Sequence, residues 1–247
     1  MQNLAIVLRN QGKYSEAANL NRQCLDKMKI VLGENHHDTL DSMQGLAVTL
    51  SRQEKFSEAE ALNKECLDRS IAVLGDEDPH TLATMMSLAI SLTQQGKHSQ
   101  AEALCKQCLD KRRKVLGENH RDTLNTMQNL ACIYSDQRKY KMSEVLRKQC
   151  FDAMKEVLGD NHPNTLTTMH NLAATYADQA KYSDAEVLYK QCLAKMKIVL
   201  GENHPQTIGT KENLACNYAN QGKYSEADAV YPGWRRSVWI EGPQNNP

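Results

Sequence analysis

The dipeptide Leu-Gly stands at positions 32–33, 74–75, 116–117, 158–159 and 200–201, and each step is 42 residues. The same step carries Asn3-Leu4-Ala5 into Gly45-Leu46-Ala47, Ser87-Leu88-Ala89 and the copies at 129–131, 171–173 and 213–215. It also relates Lys13-Tyr14, Lys55-Phe56, Lys97-His98, Lys139-Tyr140, Lys181-Tyr182 and Lys223-Tyr224. A period of roughly 20–50 residues restricts a chain to stacked supersecondary units, because one such unit cannot bury its apolar face alone. Every motif must therefore be read against its register-mates.

Each unit carries two helical patterns. Over 164–179, Leu166, Met169, Leu172, Ala173 and Tyr176 recur at spacings of three and four, the stripe of an amphipathic helix. After a polar turn, Ala185, Leu188, Cys192, Leu193, Met196 and Leu200 mark one face of a longer helix over 183–200. Gly201 suits the left-handed position beyond a helix end, and Pro205 suits a first helical turn. Asp78-Pro79 and His162-Pro163 repeat that start, so His and Asp exchange freely there, which points to capping rather than metal ligation.

The residues Leu172, Ala173, Tyr176, Tyr182, Ala185 and Tyr189 match the large and small positions of the tetratricopeptide repeat, which the chain resembles from residue 1 to about 231. That family's usual unit is about 34 residues; here a longer second helix and the LG-x-x-H-P-x-T linker extend it. The longer unit is similar to the repeats of kinesin light chains, and also to those of nephrocystin-3-like proteins and repeat-bearing signalling ATPases. The resemblance implies an all-α, right-handed superhelical solenoid of antiparallel helix pairs. About six units fill 1–231, the first lacking its start and the last truncated at Pro232. The tail 232–247 follows no repeat and holds both tryptophans, Trp234 and Trp239, which are expected to dock in part on the last unit. The chain reads as a fragment, a short isoform or a truncated product.

Composition removes several functions. Lys plus Arg count 30 and Asp plus Glu count 30, so no net charge draws the chain to nucleic acid or anionic lipid. Apolar runs such as Leu4–Leu8 are far too short to span a bilayer. Phosphate-loop, dinucleotide, zinc-protease and nucleophile-elbow motifs are missing, so no enzyme and no cofactor is expected. The eight cysteines lack the secreted, loop-rich setting of a disulfide scaffold and read as reduced cytosolic thiols. The resemblance adds the cytoskeleton as a place of action.

Cys105-x-x-Cys108 has the spacing of a redox or zinc motif. Yet Cys24, Cys66, Cys108, Cys150 and Cys192 share one register position, where a small core residue belongs. Cys105, in register with Asn21, Asn63, Arg147 and Tyr189, is expected to lie outside the repeating core. Cys132 and Cys216, in register on first helices, are the most accessible candidates for reaction. The basic run Lys111–Lys114 is expected to be the richest stretch of a solvated outer face.

First helices line the concave side of such a stack. The candidate groove residues are Asn3, Arg9, Gln44, Arg52, Gln128, Asn129, His170, Asn171 and Asn213. An amide offers a donor and an acceptor, so it can hold the main chain of an extended peptide. The resemblance implies that role for Asn129, Asn171 and Asn213, with Asn3 if the first unit is intact. Gly45 and Ser87 interrupt the series. Asp41, Ala83, Asn125, Thr167 and Gly209 stand where a carboxylate clamp needs lysine, which argues against C-terminal carboxylates as ligands. The likeness to kinesin light chains implies an adaptor that binds a protein or peptide with an aromatic residue flanked by acids, within a kinesin-related complex. Arg9 and Arg52 would supply the positive charge of a groove otherwise nearly neutral. The alternative is the scaffolding repeat region of a larger nephrocystin-like or ATPase-type signalling protein.

Overall fold

The computed structural model describes residues 2–234, and Trp239 with the rest of the tail lies outside the described residues. Twelve helices and no strand occur among the described residues, and none of the helices is long and apolar enough to cross a membrane. The chain is an all-α repeat solenoid whose helices divide between two compact units, Met1–Gln137 and Arg138–Pro247. The first unit contains α1 (Gln2–Asn10), α2 (Tyr14–Leu32), α3 (His37–Arg52), α4 (Phe56–Leu74), α5 (Pro79–Gln94), α6 (His98–Leu116) and α7 (Arg121–Asp136). The second contains α8 (Tyr140–Leu158), α9 (Pro163–Asp178), α10 (Tyr182–Val199), α11 (Pro205–Asn220) and α12 (Tyr224–Val230). Within each unit every helix packs on the next, and α1, α3, α5 and α7, or α9 and α11, also touch in succession.

Both kinds of turn follow from local chemistry. The long linkers begin at a glycine such as Gly33 with φ +91°. They end on the N-caps His36, Asp78, His120, His162 and His204, each of which accepts the amide two residues on. The histidines are thus caps, as their exchange with Asp indicates. Buried Thr39 and Thr123 donate to the carbonyls of Gly33 and Gly117 at 2.8 Å and hold these linkers closed. The short turns close with a bond five residues back, as in Lys13 N–H to the Leu8 carbonyl and Lys181 N–H to the Tyr176 carbonyl.

The middle residue of each short turn is left-handed. Three copies place glycine there, but Glu54, Arg138 and Ala180 hold the same conformation at φ of 61°, 58° and 57°. A side chain in that region costs about 1 kcal/mol or more. Glu54→Gly and Ala180→Gly are therefore expected to stabilise their units by about 0.5–1 kcal/mol each after the greater chain entropy of glycine is subtracted. Urea denaturation followed by circular dichroism checks this; a lower midpoint for both variants would sink it.

The core runs between helix pairs. In the first unit Leu40, Met43, Leu46 and Leu50 of α3 pack on Ala18 and Leu25 of α2 and on Ala59 and Cys66 of α4. Cys24, Cys66, Cys108, Cys150 and Cys192 are buried and all eight thiols are free. Cys66, Cys108 and Cys192 each donate to the carbonyl 26 residues back, as in Cys108 to Leu82 at 3.4 Å. A small buried thiol thus ties α4 to α3, α6 to α5 and α10 to α9. In the second unit Trp234 is buried beyond the end of α12, stacked on Tyr224 with its indole N–H on Asp228 at 2.8 Å.

Candidate functional site

A cavity of about 520 Å³ lies on the first-helix face of the first unit. Asn3 and Arg9 of α1 line it with Gln44 of α3, three of the residues singled out from the sequence. Asn21, Asp41, Ser42 and Arg112 complete its polar wall. Asn21 is spent internally, donating to the Gly45 carbonyl and to Thr49 Oγ1 at 3.0 Å. Ser42 Oγ and Arg112 Nε are buried and make no hydrogen bond.

Arg112 corrects two expectations. The basic run is not uniformly an outer solvated face. Lys111 pairs with Asp76, Lys114 with Glu77 at 2.6 Å and Arg113 with Glu118 at 2.9 Å. Arg112 instead is only 7% exposed and donates to Thr126 Oγ1 at 2.7 Å and to the Asp122 carbonyl at 2.9 Å. Its register-mates are Met28, Ser70, Met154 and Met196, which face inward. One residue in such a run points to the core because the helix turns about 100° per residue. A guanidinium from a second helix thus joins Arg9 and the Asp41 carboxylate in the groove wall, a charge that the first helices alone do not supply. The missed signal was a charge at an otherwise apolar or small register position.

Cys105 corrects a third. It is as buried as Cys108, with Sγ 3.6 Å from the Thr126 carbonyl and 3.9 Å from Met86 Sδ. Its position is a second repeating buried site, where a second helix meets the first helix of the following pair. Asn21, Asn63, Arg147 and Tyr189 occupy it elsewhere and are also buried. Burial pushes the Cys105 thiol up to about 12 and raises that of Cys108, the reverse of what a reactive dithiol needs. Cys132 is exposed; Cys216 is half-buried, and burial raises its thiol.

The other candidate residues separate. Arg52 is exposed at the end of α3 and does not line the cavity. Gln128 and Asn129 are half-buried on α7, where Asn129 bonds back to the Asn125 carbonyl at 3.0 Å and lines a smaller cavity of about 110 Å³ with Cys132.

His170, Asn171 and Asn213 belong to the second unit and form one network with Tyr189 and Arg147. Thr210 donates its hydroxyl to the Gln206 carbonyl at 2.8 Å, so His170 Nδ1–H donates to Thr210 at 2.9 Å. Its Nε2 then accepts from the Asn213 amide at 3.1 Å. This is a neutral imidazole, and burial, assisted by Arg147, lowers its pKa. Arg147, also buried, donates to the Asn171 carbonyl and to Ser143 at 3.1 Å. Asn213 therefore has part of its amide engaged, and Arg147 adds a second cation from a second helix that the sequence reading placed only as a register-mate.

Comparison with known proteins matches two family models described as tetratricopeptide repeat, one over residues 1–72 and 80–146 and the other over 165–206. No curated protein matches the chain. Among solved structures it is similar to the nearly identical TPR-like repeats assigned to a kinesin light chain of Podosopora anserina, at 25% identity and TM-score 0.72 over 80% of this chain and 93% of that one. BtubC (BKLC) of P. vanneervenii shares the fold at 19% identity and TM-score 0.71, over 97% of this chain and 95% of that one. So does a Rap protein complexed with competence and sporulation factor, at 13% identity and TM-score 0.64, over 94% and 72%. The tetratricopeptide repeats make the chain a protein-interaction repeat scaffold, and neither matched family model is catalytic. The chain belongs to the tetratricopeptide repeat family.

Proposed function

We propose that the chain is an adaptor of the kinesin-light-chain type that holds an extended, acidic segment of a partner protein on its first-helix face. The observation that carries this reading is the cavity of the first unit, with the Arg9 and Arg112 side chains in its wall beside Asn3 and Gln44. Asn3 and Gln44 offer amides to a peptide main chain, whatever its side chains. The guanidinium groups favour aspartate and glutamate beside an aromatic anchor, because charge-assisted pairs with carboxylates are the stronger hydrogen bonds. Asn129 on α7 in the first unit, and Asn171 and Asn213 on α9 and α11 in the second, would offer further amides within their own units. A kinesin-related complex and a cytoplasmic place of action are parts of the same proposal, which rests there on the likeness to the Podosopora anserina repeats.

Fluorescence anisotropy of labelled peptides bearing an aromatic residue flanked by acids tests it, at low and moderate salt. Saturable binding is expected, weakened by salt and at least about tenfold by Arg9→Ala with Gln44→Ala. An Asn129/Asn171/Asn213→Ala chain that keeps its helicity should also bind more weakly. Absence of saturable binding by the folded wild-type chain would overturn the proposed specificity.

A further inference from the structure

A repeat states what each position ordinarily holds, so departures that meet in space are informative. Position 37 holds His where its register-mates are Pro79, Arg121, Pro163 and Pro205. Position 41 holds Asp against Ala83, Asn125, Thr167 and Gly209, and position 80 holds His against Asp38, Asp122, Asn164 and Gln206. All three exceptions converge at the starts of α3 and α5. His37 Nδ1 lies 3.2 Å from Asp41 Oδ2, and His80 Nε2 lies 3.0 Å from Asp41 Oδ1. The two imidazole centroids are 5.2 Å apart, and Asp38 offers a further carboxylate within 4.8 Å of His37 and Asp41.

From this convergence we propose that His37, Asp41 and His80 form a binding site for a divalent transition-metal ion of the zinc type. Zinc binds imidazole nitrogen and carboxylate oxygen at about 2.0–2.2 Å, which sets neighbouring ligand atoms about 3.3 Å apart in a tetrahedron. Each imidazole lies about that far from an Asp41 oxygen, His37 from Oδ2 and His80 from Oδ1. The His80 side chain is only 8% exposed, with Nδ1 3.3 Å from Ser70 Oγ and Nε2 paired with Asp41 Oδ1 at 3.0 Å. A metal ion bound here would take the place of the proton between Nε2 and Asp41, with Nδ1–H given to Ser70. The Ser70 contact also orients the ring, as outer partners of ligating histidines do. His37 and Asp41 are more than 40% exposed at their side chains, so the ion has a way in and its remaining position stays open to water. Two nitrogens and a carboxylate suit zinc, cobalt or nickel rather than calcium or magnesium. Asp41 also lines the first-unit cavity, which sets the ion at its margin.

The test titrates zinc alone into the untagged, metal-free chain by calorimetry, in a Cys132→Ser/Cys216→Ser background that removes the accessible thiols. One saturable site is expected, with visible absorption of low-coordinate cobalt when cobalt replaces zinc. His37→Ala and Asp41→Asn change exposed side chains and should keep the helical circular dichroism while weakening binding at least about tenfold. His162→Ala, which alters only a helix cap, should leave binding unchanged. Absence of a saturable site, or a site indifferent to both His37→Ala and Asp41→Asn, overturns the proposal.

Discussion

Tyr189→Ala is expected to cost about 3–5 kcal/mol, the largest loss from any single truncation in the second unit. The ring is 2% exposed and packs among Ala173, Ala185, Leu193, Leu214, Ala215 and Tyr218. It meets His170 edge-on, with centroids 5.5 Å apart at 68°. Burial, with Asp178 nearby, raises the phenol's pKa, while Asn213 shares a hydrogen bond with it. Alanine would leave a cavity and release both His170 and Asn213. Tyr189→Phe keeps the ring and loses only the hydroxyl, so about 1 kcal/mol is expected. Urea denaturation of both variants separates packing from hydrogen bonding. Equal losses in the two would show that the ring's burial contributes little. Because a repeat is stabilised by its immediate neighbours, the alanine variant should melt the second unit first.

A second large effect concerns acid stability. Glu60, Glu144 and Glu186 occupy one register position, and each is held at about 2, well below the usual 4.5. Lys64 and Lys97 with Gln95 do this for Glu60, and Lys190 and Lys223 with Gln221 for Glu186. Around Glu144 burial works in the opposite direction and is outweighed by Lys148, Lys181 and Gln179. A carboxyl whose folded pKa is depressed stabilises the fold above the unfolded value. That contribution fades as pH falls from about 4.5 through about 2. The carboxylates are mostly buried but their lysines are 40–55% exposed, so solvent screening leaves about 1 kcal/mol per cluster. The clusters share no partner, so the triple Glu→Gln chain should lose about 3 kcal/mol near neutral pH. It should also lose most of the wild-type slope between pH 4.5 and 2. Superimposable acid-unfolding curves for the two chains would refute this account.

The site was only partly legible in the sequence. Asn3, Arg9 and Gln44 were found because they sit on the predictable face of first helices, and the structure gathers them in one cavity. Arg112 and Arg147 were missed as members of the polar walls, since they come from second helices whose exposed faces are also basic. Asn213 and His170 looked like independent ligands, yet they bond to each other across 43 residues. No spacing within one helix announces such a pair.

What the sequence by itself determined was everything local or periodic: the 42-residue unit, the helix pairs, the His and Asp caps, the glycine linkers and the buried cysteine of the five long second helices. Those features depend on backbone preferences and on an apolar stripe, both of which act over a few residues. Only the tertiary structure decided which side chain at a variable position meets which neighbour. It buried Cys105 and Arg112, joined Tyr189 to His170, and set His37 and His80 about one Asp41 carboxylate. Those pairings depend on the rotation and offset of one helix against the next, to which the repeat period is indifferent.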